Sequence, residues 1–378
     1  MSDVDQLAAR IRETREPLRI VGGGTWLHGG GPWADALPLP LDHLRGVVEY
    51  TPGDLVITVA AGTTLAELAA TTAEHAQMFA LAPYGAPHAT IGAVVATAAP
   101  APLAFGDYTV RDLVLGVQVV TGRGDITRAG GRVVKNVAGF DLVRLHTGAF
   151  GTLGVITEVS LRLHARPAVD ILVVSTLRRT DDGALGELLP QLVANRAPLP
   201  MLLHRAPDGV PQLWGRVSGN PARADALRQH LRAFGVVDAV DLPVERVDGP
   251  LHHTPHDAIV FRARTHRSDA VPFVRAGFEA FPHGTLTYDP ARGSLRAVLP
   301  AAARDSFEHD LDTMHRLAAV NGAMHPISVV IDQGRSAAAP HSTPRTALEV
   351  GVKHALDPRD VLNRLAAISP TTLGHAHV

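Results

Sequence analysis

Along the first 166 residues, apolar positions come in short runs that end on glycine. Leu18–Val21 is an apolar run of strand length that opens directly into Gly22-Gly23-Gly24-Thr25. Residues 54–60 read as a second strand, broken by Gly62. Thr64 and Glu67 then stand at capping-box spacing, which predicts a helix through about His75. Residues 113–120 and 125–128 read as two strands flanking Thr121-Gly122-Arg123-Gly124, the composition of a hairpin turn. From 155 to 163, Val155, Thr157, Val159, Leu161 and Leu163 alternate with Glu158, Ser160 and Arg162, the period of two expected of a strand.

After Pro167 the glycine-rich loops stop. A strand at 170–175, a helix at 184–195, strands at 201–204 and 212–217, a helix at 221–234 and a strand at 236–240 give the order β-α-β-β-α-β. The order then repeats with a strand at 258–264, a helix at 270–281, strands at 285–288 and 295–299, a helix at 301–319 and a strand at 327–331. Ala224, Leu227, Leu231 and Phe234 keep the same three-four-three spacing as Val271, Val274, Phe278 and Phe281. Duplication is favoured over coincidence. Residues 333–345, rich in Ala, Ser and Pro, read as a linker, and Asp357-Pro358-Arg359-Asp360-Val361-Leu362-Asn363 as a final turn or short helix returning to the first domain.

Composition narrows the chemistry. At 378 residues two domains are the default, and with 46% hydrophobic but only 4% aromatic residues the core is built from Ala, Val and Leu. A net charge of -2 offers no field for nucleic acid or a membrane surface. Neither a membrane span nor a secretory signal is visible, so a cytoplasmic protein without direct membrane insertion is expected. The absence of cysteine excludes disulfides, thiolate catalysis and a self-held iron-sulfur cluster. Twenty His show no paired helical spacing, so no metal is expected.

Three segments carry candidate chemistry. Successive glycines at Gly22, Gly23 and Gly24 let backbone N–H groups approach a diphosphate, and Thr25 adds a hydroxyl donor. The spacing is neither the dinucleotide GxGxxG nor a P-loop. Ala89-Thr90-Ile91-Gly92-Ala93 opens an apolar helix whose N-terminus offers either free N–H groups to a ligand or small residues for close packing. In the third segment Asp141 can cap a short helix, and Gly148, Gly151 and Gly154 form an open loop before the last strand. Three glycine loops at element ends suggest one extended ligand threaded across them.

In order and separation the GGGT loop, the ATIG loop and the VAGFDLVRL…GAFGTLGVITEV run resemble the FAD-binding domain of the p-cresol methylhydroxylase and vanillyl-alcohol oxidase superfamily. Within it, Arg111-Asp112-Leu113-Val114-Leu115-Gly116 and the KNVAGFDL run are most similar to the FAD-binding E subunits of glycolate oxidases. The resemblance implies an α+β protein: an FAD-binding domain at 1–166, a cap of two ferredoxin-like units at 167–332, and a linker with a returning segment at 333–378. It further implies that Gly22, Gly23, Gly24 and Thr25 hold the pyrophosphate and that Thr90, Ile91 and Gly92 flank pyrophosphate and flavin. By the same resemblance Gly148, Gly151, Thr152, Gly154 and Ile156 lie along the adenosine and ribityl portion, and Pro83 and Asp141 belong to the cofactor site.

Departures from the family bear on the chemistry. The flavin-linking His of covalent relatives has no counterpart beside the first loop, where Gly24 or Thr25 stands and His28 is out of register, so non-covalent FAD is implied. Ala93 replaces a usual glycine, and the family's DPxxxLNPGR tail becomes Asp357 to Leu365 without the closing proline. The His-rich GDGN-type motif of the catalytic D subunit and its dehydrogenase relatives does not occur, so no catalytic residue is assigned. Strand alternation would set Arg262, Arg264 and His266 on one face able to grip a carboxylate, but an ordinary solvated sheet face is the preferred reading. His204-Arg205 and the cluster His252, His253 and His256 are similarly open. Three functions follow: an FAD subunit relaying electrons between a catalytic flavoprotein and an iron-sulfur subunit during oxidation of a small 2-hydroxy acid, a self-sufficient FAD-dependent oxidase or dehydrogenase, and a flavin-free scaffold.

Overall fold

The computed structural model describes residues 2–25, 36–81, 87–99, 101, 103–104, 108–132, 141–177, 182–194, 200–232, 234, 239–243, 255, 257–333 and 347–363. Helix α1 (Asp3–Glu13) starts at a reciprocal capping box between Ser2 and Asp5. Strands β1 (Leu18–Val21) and β2 (Leu37–Pro40) pair in parallel. Strands β3 (Val47–Thr51) and β4 (Val56–Ala60) precede helix α2 (Leu65–Ala73), which carries the anticipated Thr64–Glu67 box. The two-residue strand β5 (Gln77–Met78), helix α3 (Ile91–Ala96) and helix α4 (Val110–Leu113) lead into the hairpin of β6 (Val114–Val120) and β7 (Ile126–Gly130). Leu113 closes α4 rather than opening the strand, because Thr109 and Asp112 form their own capping box one turn earlier. Helix α5 (Leu142–His146), capped by Asp141, precedes β8 (Val155–Arg162) and the short β9 (His164–Ala165).

One five-stranded antiparallel sheet, in the order β3-β4-β8-β6-β7, organises this half. Its period-two patterning decides which side chains go where. Ile57, Val59, Val117, Val119, Val159 and Leu161 are buried with Ile91, Val94 and Val95 of α3. Val120 and Val155 join a second core with Leu7, Ile11 and Leu18, each such side chain contributing about 1.5–3 kcal/mol on burial.

The remaining strands build a second sheet, whose elements are β10 (Val169–Thr176), α6 (Asp182–Ala194), β11 (Met201–Arg205), β12 (Gln212–Gly219), α7 (Pro221–Arg232) and β13 (Ala239–Pro243), followed by β14 (Ile259–Arg264), α8 (Ala270–Ala280), β15 (Thr285–Asp289), β16 (Ser294–Leu299), α9 (Phe307–Val320) and β17 (Ser328–Gln333). Strand order is β13-β10-β12-β11-β15-β16-β14-β17, all antiparallel. Each β-α-β-β-α-β repeat therefore has its fourth strand outside its first and its third strand next, and the two repeats abut through their second strands, β11 and β15. The last long helix is shorter than its sequence span suggests. Residues 301–304 form a 3-10 turn after Pro300, and α9 starts only where the Phe307 ring is buried against Phe261.

Leu103 joins the two halves: it packs with Leu172, Leu202 and Trp214, and its carbonyl accepts from Arg216 Nη1 at 2.5 Å. Arg216 is held by a two-pronged ion pair with Asp170, at 2.6 and 2.7 Å. Helix α10 (Ala347–Leu356) then brings the chain back to the first half. There Asp357, buried, accepts from Lys353 Nζ and from the N–H groups of Val361 and Leu362. Val361 and Leu362 enter the core around α1. No helix among the described residues is long and apolar enough to cross a membrane.

Two buried histidines make stability depend on pH. His146 lies at the end of α5, and His204 stacks on Trp214 at 4.2 Å with its Nδ1 3.0 Å from the Thr287 hydroxyl. Burial lowers each pKa from the ordinary 6.5 to about 4. The folded state therefore binds fewer protons than the unfolded chain below pH 6.5. Stability is full above that pH and declines as pH falls towards about 4, by roughly 1–2 kcal/mol per histidine at pH 5. Urea unfolding of the native chain and of His146→Leu at pH 7.5 and pH 5 checks this. The variant should lose less stability on acidification by that amount, and equal losses would contradict the assignment.

Candidate functional site

The site begins where β1 delivers its glycines to the start of α3. A Cβ placed on Gly22 would lie 2.3 Å from Thr90 Oγ1, and one on Gly23 would lie 2.4 Å from the His88 carbonyl oxygen. Gly24 takes φ of 75°, open to glycine at no steric cost. The backbone itself therefore forms this wall. Among the described residues, no backbone hydrogen bond uses the N–H groups of Gly23, Gly24 or Thr25. The Thr25 hydroxyl and Arg19 Nε are shielded from solvent, also with no partner there.

The start of α3 behaves differently from one of the two expectations. Its first N–H groups are already engaged: Ile91 N donates to the Thr63 carbonyl, Gly92 N to the Ala61 carbonyl, and Ala93 N to Thr90 Oγ1. A Cβ on Gly92 would sit 2.8 Å from that of Ala61. The small residues of this loop thus serve close packing beside β4. The anticipated free N–H groups at these three positions are spoken for.

The opposite wall is the turn after α5. Phe150 and Gly151 both adopt left-handed φ, 53° and 71°, and Phe150 is the costlier because it carries a side chain. Cβ atoms on Gly151 and Gly154 would lie 2.7 Å from Ile20 Cδ1 and 2.2 Å from Val119 Cγ1. Asn363 fastens the two walls together. Its Oδ1 accepts from Ile20 N at 2.9 Å, and its Nδ2 donates to the Phe150 carbonyl at 2.7 Å.

Between the walls runs a cleft. Of the expected site residues, Gly22, Gly23, Gly24, Thr25, Thr90, Gly92, Gly151, Gly154 and Ile156 line it. Four do not. Ile91 is buried in the core beneath, Gly148 bonds through its N–H to the Val95 carbonyl, and Asp141 caps α5. Thr152 donates its hydroxyl to the Ala149 carbonyl while its own carbonyl takes Lys353 Nζ. Pro83, His28, His252, His253 and His256 lie outside the described residues. Arg19, Leu41, Ala61, Ala96, Phe150 and Asn363 also line the cleft and were not anticipated. For Asn363 a signal existed in the family-like DPRDVLN tail. For Arg19, next to the first loop on a strand, the alternation of β1 was the available hint.

A second cavity starts where the first stops, just past the end of α3. Ala96 and Thr97 line the cleft, whereas Ala98, in left-handed φ of 44°, and Ala99 line the second cavity. Its far side is the cap sheet, through Arg262, Arg264, Thr287 and Arg296 among others. Arg262 and Arg264 do share a face, as strand alternation implies. His266 does not belong with them: it lies past the end of β14, accepts from Ser268 N and stacks on His325 at 4.5 Å. Helix-cap chemistry outcompetes the extension of the strand.

Residues 1–130 match the FAD binding domain family. The match marks residues 1–130 as an FAD-binding domain, and this segment supplies the glycine turn and the start of α3 that wall the cleft. Among characterised proteins it is similar to the glycolate oxidase subunit GlcE of Escherichia coli (strain K12), 38% identical over 220 residues, 57% of this chain and 60% of that one. It is similar also to the glycolate oxidase subunit GlcD of Bacillus subtilis (strain 168), 29% identical over 183 residues, 48% of this chain and 39% of that one. A D-lactate dehydrogenase of Archaeoglobus fulgidus is 30% identical over 222 residues, 58% of this chain and 49% of its own. The chain thus spans 39% to 60% of the length of these relatives. A solved structure of alkyldihydroxyacetonephosphate synthase superposes with a TM-score of 0.65 over 95% of this chain and 73% of that one, at 14% identity, a likeness of fold.

The residues present fit FAD. The N–H groups of the glycine turn and the Thr25 hydroxyl, which have no partner among the described residues, together with the Arg19 guanidinium suit a diphosphate. Gly22→Ala should force Thr90 aside at a cost of about 1–3 kcal/mol. Flavin affinity should then fall about tenfold to a hundredfold. Gly53→Ala, where a Cβ would meet nothing within 4 Å, is the control. Flavin absorbance per protein after dialysis checks the pair, and equal retention would contradict the packing argument.

Proposed function

We propose that this chain is the non-covalent FAD-binding subunit of a glycolate oxidase-like complex, in the cytoplasm, serving two-electron oxidation of a small 2-hydroxy acid. The observation that carries this reading is the cleft walled by Gly22 to Thr25 and by Phe150 to Gly154, on a chain similar to GlcE. On this reading residues 1–166 are the FAD-binding domain, 167–332 the cap and 333–378 the segment that returns to it. Gly22, Gly23, Gly24, Thr25, Thr90, Gly92, Gly151, Gly154 and Ile156 are the cofactor contacts that the cleft supports. Ile91, Asp141, Gly148 and Thr152 then act by holding those contacts in place.

FAD, when bound, supplies a two-electron acceptor. The chain's own contribution is to fix the diphosphate against the glycine turn and to keep Phe150 and Ile20 packed over the cleft through Asn363. With no cysteine in the sequence, electrons leave to oxygen, to a small carrier or to a separate iron-sulfur subunit. A catalytic flavoprotein subunit is the proposed source of electrons. A second reading, a self-sufficient FAD-dependent dehydrogenase, is favoured by the arginine-lined cavity that abuts the cleft at Ala98.

The purified chain should be yellow and should release its flavin on denaturation. Under anaerobic conditions glycolate or D-lactate should leave its visible absorbance unchanged until a catalytic flavoprotein subunit is added. Bleaching by either acid alone would replace the relay reading with the self-sufficient one. A colourless protein that cannot be reconstituted would overturn both.

A further inference from the structure

Among the residues lining the two cavities, two that carry side chains take left-handed φ: Ala98 in the second cavity and Phe150 in the cleft. Ala98 closes α3. Ala99 N donates to the Val94 carbonyl and Ala98 N to the Val95 carbonyl, the paired bonds of a helix end that usually has glycine at this position. Phe150 is tied to the same helix end, because its N–H donates to the Ala96 carbonyl at 2.7 Å. Gly148 N completes the junction by donating to the Val95 carbonyl, and a Cβ there would lie 3.2 Å from that of Ala98. From the other side Asn363 Nδ2 holds the Phe150 carbonyl.

Left-handed backbone disfavours any residue with a Cβ, and bulky ones most. Packing of the side chain into a core would offset that strain, and for Phe150 no such packing is found. It is half-buried, yet among the described residues it joins none of the hydrophobic cores and contacts no other ring. It lines the cleft instead, where it is the only aromatic among the described residues. Strain kept at a residue whose side chain serves a cavity and not a core points to a ligand. An aromatic ring fixed in such a place offers its face to another planar ring.

The spacing fits a dinucleotide. Gly22 meets Thr90 at the start of α3 and Phe150 meets Ala96 at its end, so the glycine turn and Phe150 stand roughly 9 Å apart at 1.5 Å per helical residue. That separation suits a ring joined to a diphosphate through a ribose or ribityl chain. We infer that Phe150 is a stacking residue, whose ring packs against an aromatic ring of the bound dinucleotide, adenine or isoalloxazine. The inference rests on the FAD reading of the cleft and assigns to the strained turn a contact that the glycines cannot make.

Titration of the flavin-stripped full chain with FAD, FMN and ADP, for the parent and for Phe150→Tyr, Phe150→Leu and Phe150→Gly, tests the assignment. Phe150→Tyr keeps an aromatic face and should bind FAD within about threefold of the parent. Phe150→Leu keeps the strained backbone without the aromatic face, and Phe150→Gly removes both. Each should weaken FAD binding about tenfold. The half-ligands identify the ring: weakened ADP with unchanged FMN places adenine on Phe150, and the reverse places isoalloxazine there. Thermal melts of the unloaded chains separate stacking from mere support. Phe150→Gly relieves the left-handed residue, so it should unfold no earlier than the parent while binding FAD more weakly. Undiminished FAD affinity in Phe150→Leu and Phe150→Gly would overturn the inference. So would a loss of affinity in Phe150→Gly that comes with a lowered melting temperature, or a loss confined to FAD with ADP and FMN both unchanged. The parent reports separately on the cofactor reading. A parent that takes up none of the three ligands overturns that reading and the stack together, whereas a parent that binds FAD no better than its folded variants loses the stack alone.

Discussion

The site depends on how closely the backbone of residues 22 and 23 approaches residues 88 to 90. With Cβ positions 2.3 and 2.4 Å from Thr90 Oγ1 and the His88 carbonyl, no side chain fits at either glycine. That approach sets the cleft wall at backbone thickness, and among the described residues the N–H groups of Gly23, Gly24 and Thr25 make no backbone hydrogen bond. It also explains why α3 packs so tightly beside β4 that its own first N–H groups are satisfied by Ala61 and Thr63. On the proposed reading, the anion-binding role that a helix N-terminus would otherwise take falls to the glycine turn instead.

Such a thin wall needs support from elsewhere in the chain. Asn363, 343 residues from Ile20, fastens β1 to the Phe150 turn, and Asp357 folds the segment carrying Asn363 by accepting two backbone N–H groups and the Lys353 ammonium. Leaving such a buried carboxylate unpaired would be costly, so these contacts stand or fall together. The left-handed Phe150 and Ala98 fit the same pattern. Strained backbone lies at both cavities and is sustained by the cores around it.

Much of the architecture was legible because strands and helices have different hydrophobic periods. The repeated β-α-β-β-α-β order was readable from the succession of strand-like and helix-like segments and from matched helix spacing. That the two repeats meet edge to edge through β11 and β15 was not, since pairing between them is a tertiary choice. The glycine loops announced the cleft through composition. Arg19, Phe150 and Asn363 escaped notice because their roles come from contacts across the chain, not from neighbours in it. His266 looked like a continuation of the Arg262 and Arg264 face, yet its ring is spent on a turn cap and a stack with His325.

The backbone of the glycine turn is proposed to grip the cofactor. Hydrogen exchange of the chain, measured with and without added FAD, addresses it directly. FAD should slow exchange by about tenfold or more in peptides covering Gly23 to Thr25 and Gly151 to Gly154, with little change in the helices of the cap. Protection confined to the cap sheet, with residues 23–25 unaffected, would contradict it.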